Sequence, residues 1–172
     1  AIKTAKDRVE TLKSLSQILP ESLKEETLWE AVTTTQDLEE NELQAKMLVD
    51  LAIHMAQLGY HGQALRAIRR IPDEPKRMQM LTNLATIVPE PVETEVFREA
   101  LMTARHLPEQ NRLGTSLRRQ ALLDLLPLLP EGLLEEVLEA IGEMRGEEER
   151  ALLLMHLPLH PATANWGKTL DL

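Results

Sequence analysis

The chain has 172 residues, a formal net charge of −9, 43% hydrophobic side chains and no cysteine. That length and apolar content suffice for a continuous core, and the missing cysteine excludes a disulfide framework, a thiolate metal site and a cysteine nucleophile. Net acidity weighs against a protein whose main task is to grip a phosphate backbone, because that affinity comes from lysine and arginine displacing counterions.

Residues 1–10 are charged and carry no apolar stretch of the kind a secretory signal needs. From residue 12 onward one pattern recurs five times: a leucine followed eight residues later by a helix-stopping proline or glycine. The pairs are Leu12 with Pro20, Leu51 with Gly59, Leu81 with Pro89, Leu122 with Pro130 and Leu153 with Pro161. Apolar residues between the ends keep helical spacing, as in Leu12, Leu15 and Leu19 or Leu122, Leu125, Leu126 and Leu129, so each copy predicts a helix. Between copies lies a second pattern: Leu28-Trp29-Glu30-Ala31-Val32, Ala64-Leu65-Arg66-Ala67-Ile68, Phe97-Arg98-Glu99-Ala100-Leu101 and Val137-Leu138-Glu139-Ala140-Ile141. Its alanine is a small residue at a fixed place, which lets two helices approach closely. Pro20, Pro89 and Pro130 each precede a glutamate (Glu21, Glu90, Glu131), which puts negative charge where the second helix dipole favours it.

Internal self-similarity of this kind predicts stacked helical hairpins. The expected fold is all-α, a right-handed αα-solenoid of four to five hairpins over residues 1–161, followed by a polar tail or linker stub at 162–172. Roughly nine helices are expected. The five leucine helices form one layer and the four alanine helices the other, with Leu12, Leu51, Leu81, Leu122 and Leu153 equivalently buried. Successive terminators are 39, 30, 41 and 31 residues apart. The longer gaps hold polar inserts at 33–42 and 105–116, expected to emerge as loops on one edge, a common place for binding. No apolar run approaches the roughly 20 residues of a membrane span, so a soluble, cytoplasmic chain is expected. Neither end carries a specialised capping repeat, and the chain reads as a piece of a larger protein.

Signals for chemistry are sparse. Gly167-Lys168-Thr169 has the ending of a phosphate-binding loop, but Ala162 stands where its first glycine belongs and no strand precedes it. His156 and His160 have a spacing that suits zinc on a helix, yet Pro158 separates them and no third ligand is near in sequence. His54 and His156 fall at the repeat position of Leu15, Leu84 and Leu125, where a hydrogen-bonded histidine is the simpler expectation. The carboxylate groups Glu25 and Glu26, Glu135 and Glu136, and Glu147, Glu148 and Glu149 sit at polar helix positions, which reads as a solvated face. No enzyme, cofactor or metal is expected.

Charge is unevenly spread. Residues 1–59 carry six basic and eleven acidic side chains, residues 60–119 ten and seven, and residues 120–172 three and ten. All but one of the basic residues in the central island are arginine, suited to bidentate carboxylate or phosphate recognition. Arg66, Arg70, Arg112 and Arg119 are the expected partner-facing residues, together with Trp29, which stands in the repeat position held by Arg66 and Arg98. The alternative is that these arginines pair with acids on adjacent helices. Two functions follow: a non-catalytic protein-interaction scaffold or sensor that docks an acidic peptide or a neighbouring domain, or a nucleic-acid-binding helical repeat using the central arginines.

The segment Leu58-Gly59-Tyr60-His61-Gly62-Gln63-Ala64-Leu65 resembles the turn of a tetratricopeptide repeat, in which leucine and glycine end one helix and an aromatic and an alanine–apolar pair open the next. The other hairpins put proline in place of the glycine, and the alternating spacing departs from that family's period of about 34. The whole chain is similar to degenerate TPR-like αα-repeats of the sort found beside NTPase or protease modules in large bacterial signalling and defence proteins. The resemblance implies a sensor or docking role and carries no catalytic residue.

Overall fold

A computed structural model describes residues 4–89, 92–109 and 116–157. Its α-helices, in chain order, are α1 (Ala5–Ile18), α2 (Glu21–Thr34), α3 (Asn41–Gln57), α4 (His61–Ile68), α5 (Glu74–Ala85), α6 (Val92–His106), α7 (Leu117–Leu125), α8 (Leu134–Gly142) and α9 (Glu147–His156). Short 3-10 turns lie at Thr35–Asp37, Leu126–Leu128 and Glu131–Leu133, and the described residues include no strand. The odd-numbered helices carry the five leucines and the even-numbered ones the four alanines, so the order of elements follows the two sequence patterns. No described helix is long and apolar enough to cross a membrane.

Helix ends follow local chemistry. Thr4 caps α1 by accepting from the Asp7 N–H, Asp73 accepts from Lys76 at the start of α5, and Ser116 accepts from Arg119 at the start of α7. The end of α3 is a Schellman turn: Gly59 has φ +85°, its N–H reaches the Ala56 carbonyl, and the Tyr60 N–H reaches Met55. Gly59 is the one described residue there that needs the left-handed region, which a side chain disfavours. Pro20, in contrast, ends α1 by extended backbone and opens α2 as its N-cap.

The chain divides into two compact units, residues 1–80 and 81–172. Within the first, α1 packs on α2, α3 on α4, and α2 on α3. Within the second, α6 packs on α7, α8 on α9, α7 on α9 and α6 on α8. The recurring alanines Ala31, Ala67, Ala100 and Ala140 are each fully buried, as close helix approach requires. Leu51, Leu81, Leu122 and Leu153 are buried too.

Leu12 departs from the set. It is only half-buried, because the inward face of α1 runs through Val9 and Ser16, leaving Leu15 and Ile18 in solvent. The insert at 33–42 also differs from expectation. Rather than emerging whole as a loop, it folds Thr34 and Thr35 into the core, where their hydroxyls donate to the Glu30 and Val32 carbonyls and so remain satisfied. Residues 110–115 of the second insert, and the stretch from 158 onward with Pro161, His160 and the Gly167-Lys168-Thr169 motif, lie outside the described residues.

Candidate functional site

Side chains one repeat apart touch each other, and this fact organises the surface. Between α1 and α3, Ser16 Oγ lies 3.1 Å from His54 Nε2, 38 positions on. The Ser16 hydroxyl donates to the Lys13 carbonyl, so the imidazole supplies the proton in the pair. Burial, with a smaller effect from Lys13, pushes the His54 pKa down. His156, at the corresponding position of α9, is exposed and bonds the Leu152 carbonyl instead.

The even-numbered helices of the first unit are joined in the same manner. Just before α4, Tyr60 donates its hydroxyl to Glu21 on α2, 39 positions away. Gln63 donates to Glu25, 38 positions away. At the far end of the same seam the Arg70 guanidinium lies over the Trp29 ring, 4.7 Å from its centroid, a cation–π contact. The Tyr60 hydroxyl and Lys24 together hold the Glu21 carboxyl below its ordinary value. In turn Glu21 pushes the phenol up to about 12. These shifts come from exposed hydrogen bonds along a helix seam rather than from a shared cleft.

Along this seam runs a cavity of about 280 Å³ lined by Ser22, Glu25, Glu26, Trp29, Gln63 and Arg66. Three of the five expected partner-facing residues therefore come together. Trp29 is half-buried at the cavity wall, Arg70 covers its ring, and Arg66 is exposed on α4 with no ion pair among the described residues. Arg70 Nη1 and Gln63 Oε1 are buried and lack a hydrogen-bond partner among the described residues, so the seam keeps one unused donor and one unused acceptor.

The second unit shows a different chemistry at the same offset. Arg98 on α6 forks onto Glu136 on α8 at 3.0–3.2 Å, 38 positions on, and Glu136 raises the guanidinium pKa. Arg105 reaches Glu139 at 2.9 Å and Glu143 at 3.5 Å. Arg119, the fourth expected residue, pairs with Glu149 on α9 at 3.7 Å, and Arg118 pairs with Glu109 at 3.3 Å. Arg112, the fifth, lies outside the described residues. The structure thus gathers Trp29, Arg66 and Arg70 on one seam and places Arg119 in a separate interhelical pair.

Sequence reasoning missed Glu21, Glu25, Tyr60 and Gln63. The signal was available: sliding the chain by the 39 residues between Pro20 and Gly59 sets Glu21 opposite Tyr60. No protein-family model matches the chain, and no curated protein is significantly similar to it. The repeat description therefore rests on the chain's own periodicity and on these one-repeat contacts.

Proposed function

We infer that this chain is a non-catalytic protein-interaction scaffold or sensor module built from degenerate TPR-like hairpins in a right-handed αα-solenoid, and that its α2–α4 seam docks an acidic peptide or a neighbouring domain. The observation that carries this reading is the cavity lined by Trp29 and Arg66, with Arg70 over the Trp29 ring, formed because side chains a repeat apart are set next to each other. A half-buried tryptophan under an arginine is the type of anchor that concentrates binding energy at interfaces. Arg66 adds a guanidinium that has no ion pair among the described residues and is suited to a carboxylate. The non-catalytic part of the reading is supported by three of the four shifted groups, since Glu21, Tyr60 and Arg98 answer to partners on helix surfaces, while the fourth, His54, is shifted by burial at the contact of α1 with α3. Nucleic-acid binding is disfavoured because Arg98, Arg105, Arg118 and Arg119 already face carboxylates.

The test titrates labelled glutamate-rich peptides and, separately, single-stranded RNA into the chain and into Arg66→Glu. The expected result is saturable peptide binding that weakens by about tenfold in the variant, with helicity and melting unchanged. RNA binding that falls steeply with salt and is lost in Arg66→Glu would replace this reading with the nucleic-acid one.

A further inference from the structure

The odd-numbered helices of the first unit carry a surface that the reading above does not use. Between α3 and the first part of α5 lie two cavities, of about 500 Å³ and about 280 Å³, that share Glu42 and Lys76 and so form one groove. The smaller end is walled by Val49 and Met80 and flanked by Lys46, Lys76 and Gln79. Met80 is buried and Val49 half-buried, so this end offers an apolar floor. The larger end is mixed, with Asn41 and Asp73 beside Ala45 and Pro72.

The two lysines hold equivalent places. Lys46 and Lys76 are 30 residues apart, the spacing that separates Gly59 from Pro89. Repeat stacking thus sets two ammonium groups along one apolar cavity, and Lys46 is exposed with no ion pair among the described residues. Like charges on a shared wall repel unless an anion lies between them. One acid, Glu42, also lines that end, where Lys46 and Lys76 outnumber it. Asp73 is committed to capping α5 through the Lys76 N–H at 2.7 Å, and Glu42 sits at the junction of the two cavities and makes no ion pair among the described residues.

We propose that the α3–α5 groove is a second docking surface, which takes a peptide segment bearing an apolar side chain next to a carboxylate. The apolar group packs on Val49 and Met80, where a methionine adapts to side chains of different shape. The carboxylate is bracketed by Lys46 and Lys76. Asp73 and Asn41 fix the direction of the segment, because their end of the groove suits hydrogen-bond donors such as a peptide amide and repels a second acid. The occupant is a partner protein's segment of that composition. The argument uses neither Trp29 nor the arginines, so it stands apart from the α2–α4 reading.

Fluorescence polarisation with a panel of short labelled peptides tests it. One set carries leucine beside glutamate, a second carries leucine beside lysine, and a third carries glutamate with no apolar residue. The intact chain should bind members of the first set saturably and, once Arg66→Glu has removed the share of the α2–α4 seam, the other two at least about tenfold more weakly. The double variant Lys46→Glu with Lys76→Glu should lose about tenfold in affinity for the first set, as should the exposed single variant Lys46→Glu to a smaller degree, while Arg66→Glu leaves it unchanged. Circular dichroism confirms that the variants fold, and Lys46→Ser serves as a milder replacement where charge reversal disturbs α3. No saturable binding by the first set, equal binding of the lysine set, or binding that survives the lysine changes would overturn the proposal. Loss of binding in Arg66→Glu alone would overturn it as well and return the peptide to the α2–α4 seam.

Discussion

The two compact units meet the same geometric demand with different side chains. Each has helices whose polar faces touch one repeat apart, yet the first unit fills the seam with a phenol on a carboxylate, an amide on a carboxylate, a hydroxyl on an imidazole and a guanidinium on an indole. The second fills it with arginine–glutamate pairs. Hairpin stacking therefore fixes where contacts fall but leaves their chemistry free. The practical difference is in what remains available. Arg98, Arg105, Arg118 and Arg119 of the second unit face neighbouring acids, whereas in the first unit Arg66 and Lys46 stand beside cavities with no ion pair among the described residues. That contrast is why both proposed docking surfaces lie in the first unit, even though the sequence concentrates arginine across residues 60–119.

The largest effects should come from what the units have in common. Leu51→Ala in the first and Leu122→Ala in the second should each cost about 2–5 kcal/mol, read from denaturant midpoints, since both leucines are buried. Leu12→Ala should cost clearly less, given its half-exposed position. Equal losses at all three would restore the uniform leucine register.

A smaller effect should separate the units. Replacing Arg105 by methionine removes its contacts to Glu139 and Glu143 and should cost about 1 kcal/mol at low salt, shrinking in molar salt as screening takes over. Trp29→Leu in the first unit should show a loss that salt does not diminish to the same degree, because ring packing contributes alongside the cation. A salt response of the same size at both sites would erase the distinction drawn here.

The smallest effect is spectroscopic. Tyr60 is the only tyrosine in the chain, so phenolate absorbance reports it alone. Its midpoint should lie at about 12 and fall toward the ordinary value of about 10 in Glu21→Gln. The sign for stability follows. Because the folded phenol titrates above the unfolded one, its contribution is complete below pH about 10 and disappears as pH rises toward about 12. Glu21, held below its ordinary value, contributes above the carboxylate range and loses that contribution as pH falls through the lowered value. An unshifted phenol would remove the Tyr60–Glu21 link from the seam.

Much of the fold was legible because helix stops and buried leucines are local signals. Gly59 and Pro20 end helices by backbone constraints that any reader of the sequence can apply, and the four alanines mark close packing wherever they occur. The burial of Thr34 and Thr35 was not legible, since threonine reads as polar until its hydroxyl is seen bonded to its own helix. Nor was the pairing of Arg98 with Glu136, because the terminators there are 41 residues apart and the contact falls at 38. For the candidate site, Trp29, Arg66 and Arg70 were singled out by residue type, whereas their meeting on one seam needs the register between α2 and α4. The acids and the amide that complete it became visible only with that register.

That register is also the central claim, and the absence of native cysteine allows a direct measurement. Two double variants, Glu25→Cys with Gln63→Cys and Arg98→Cys with Glu136→Cys, each place thiols one repeat apart on facing helices. Treatment with a short bifunctional thiol reagent, followed by mass spectrometry of the proteolysed chain, should give an intramolecular bridge in both. Single-cysteine versions that label freely while neither double variant is bridged would contradict the one-repeat contacts, and with them the stacked-hairpin account.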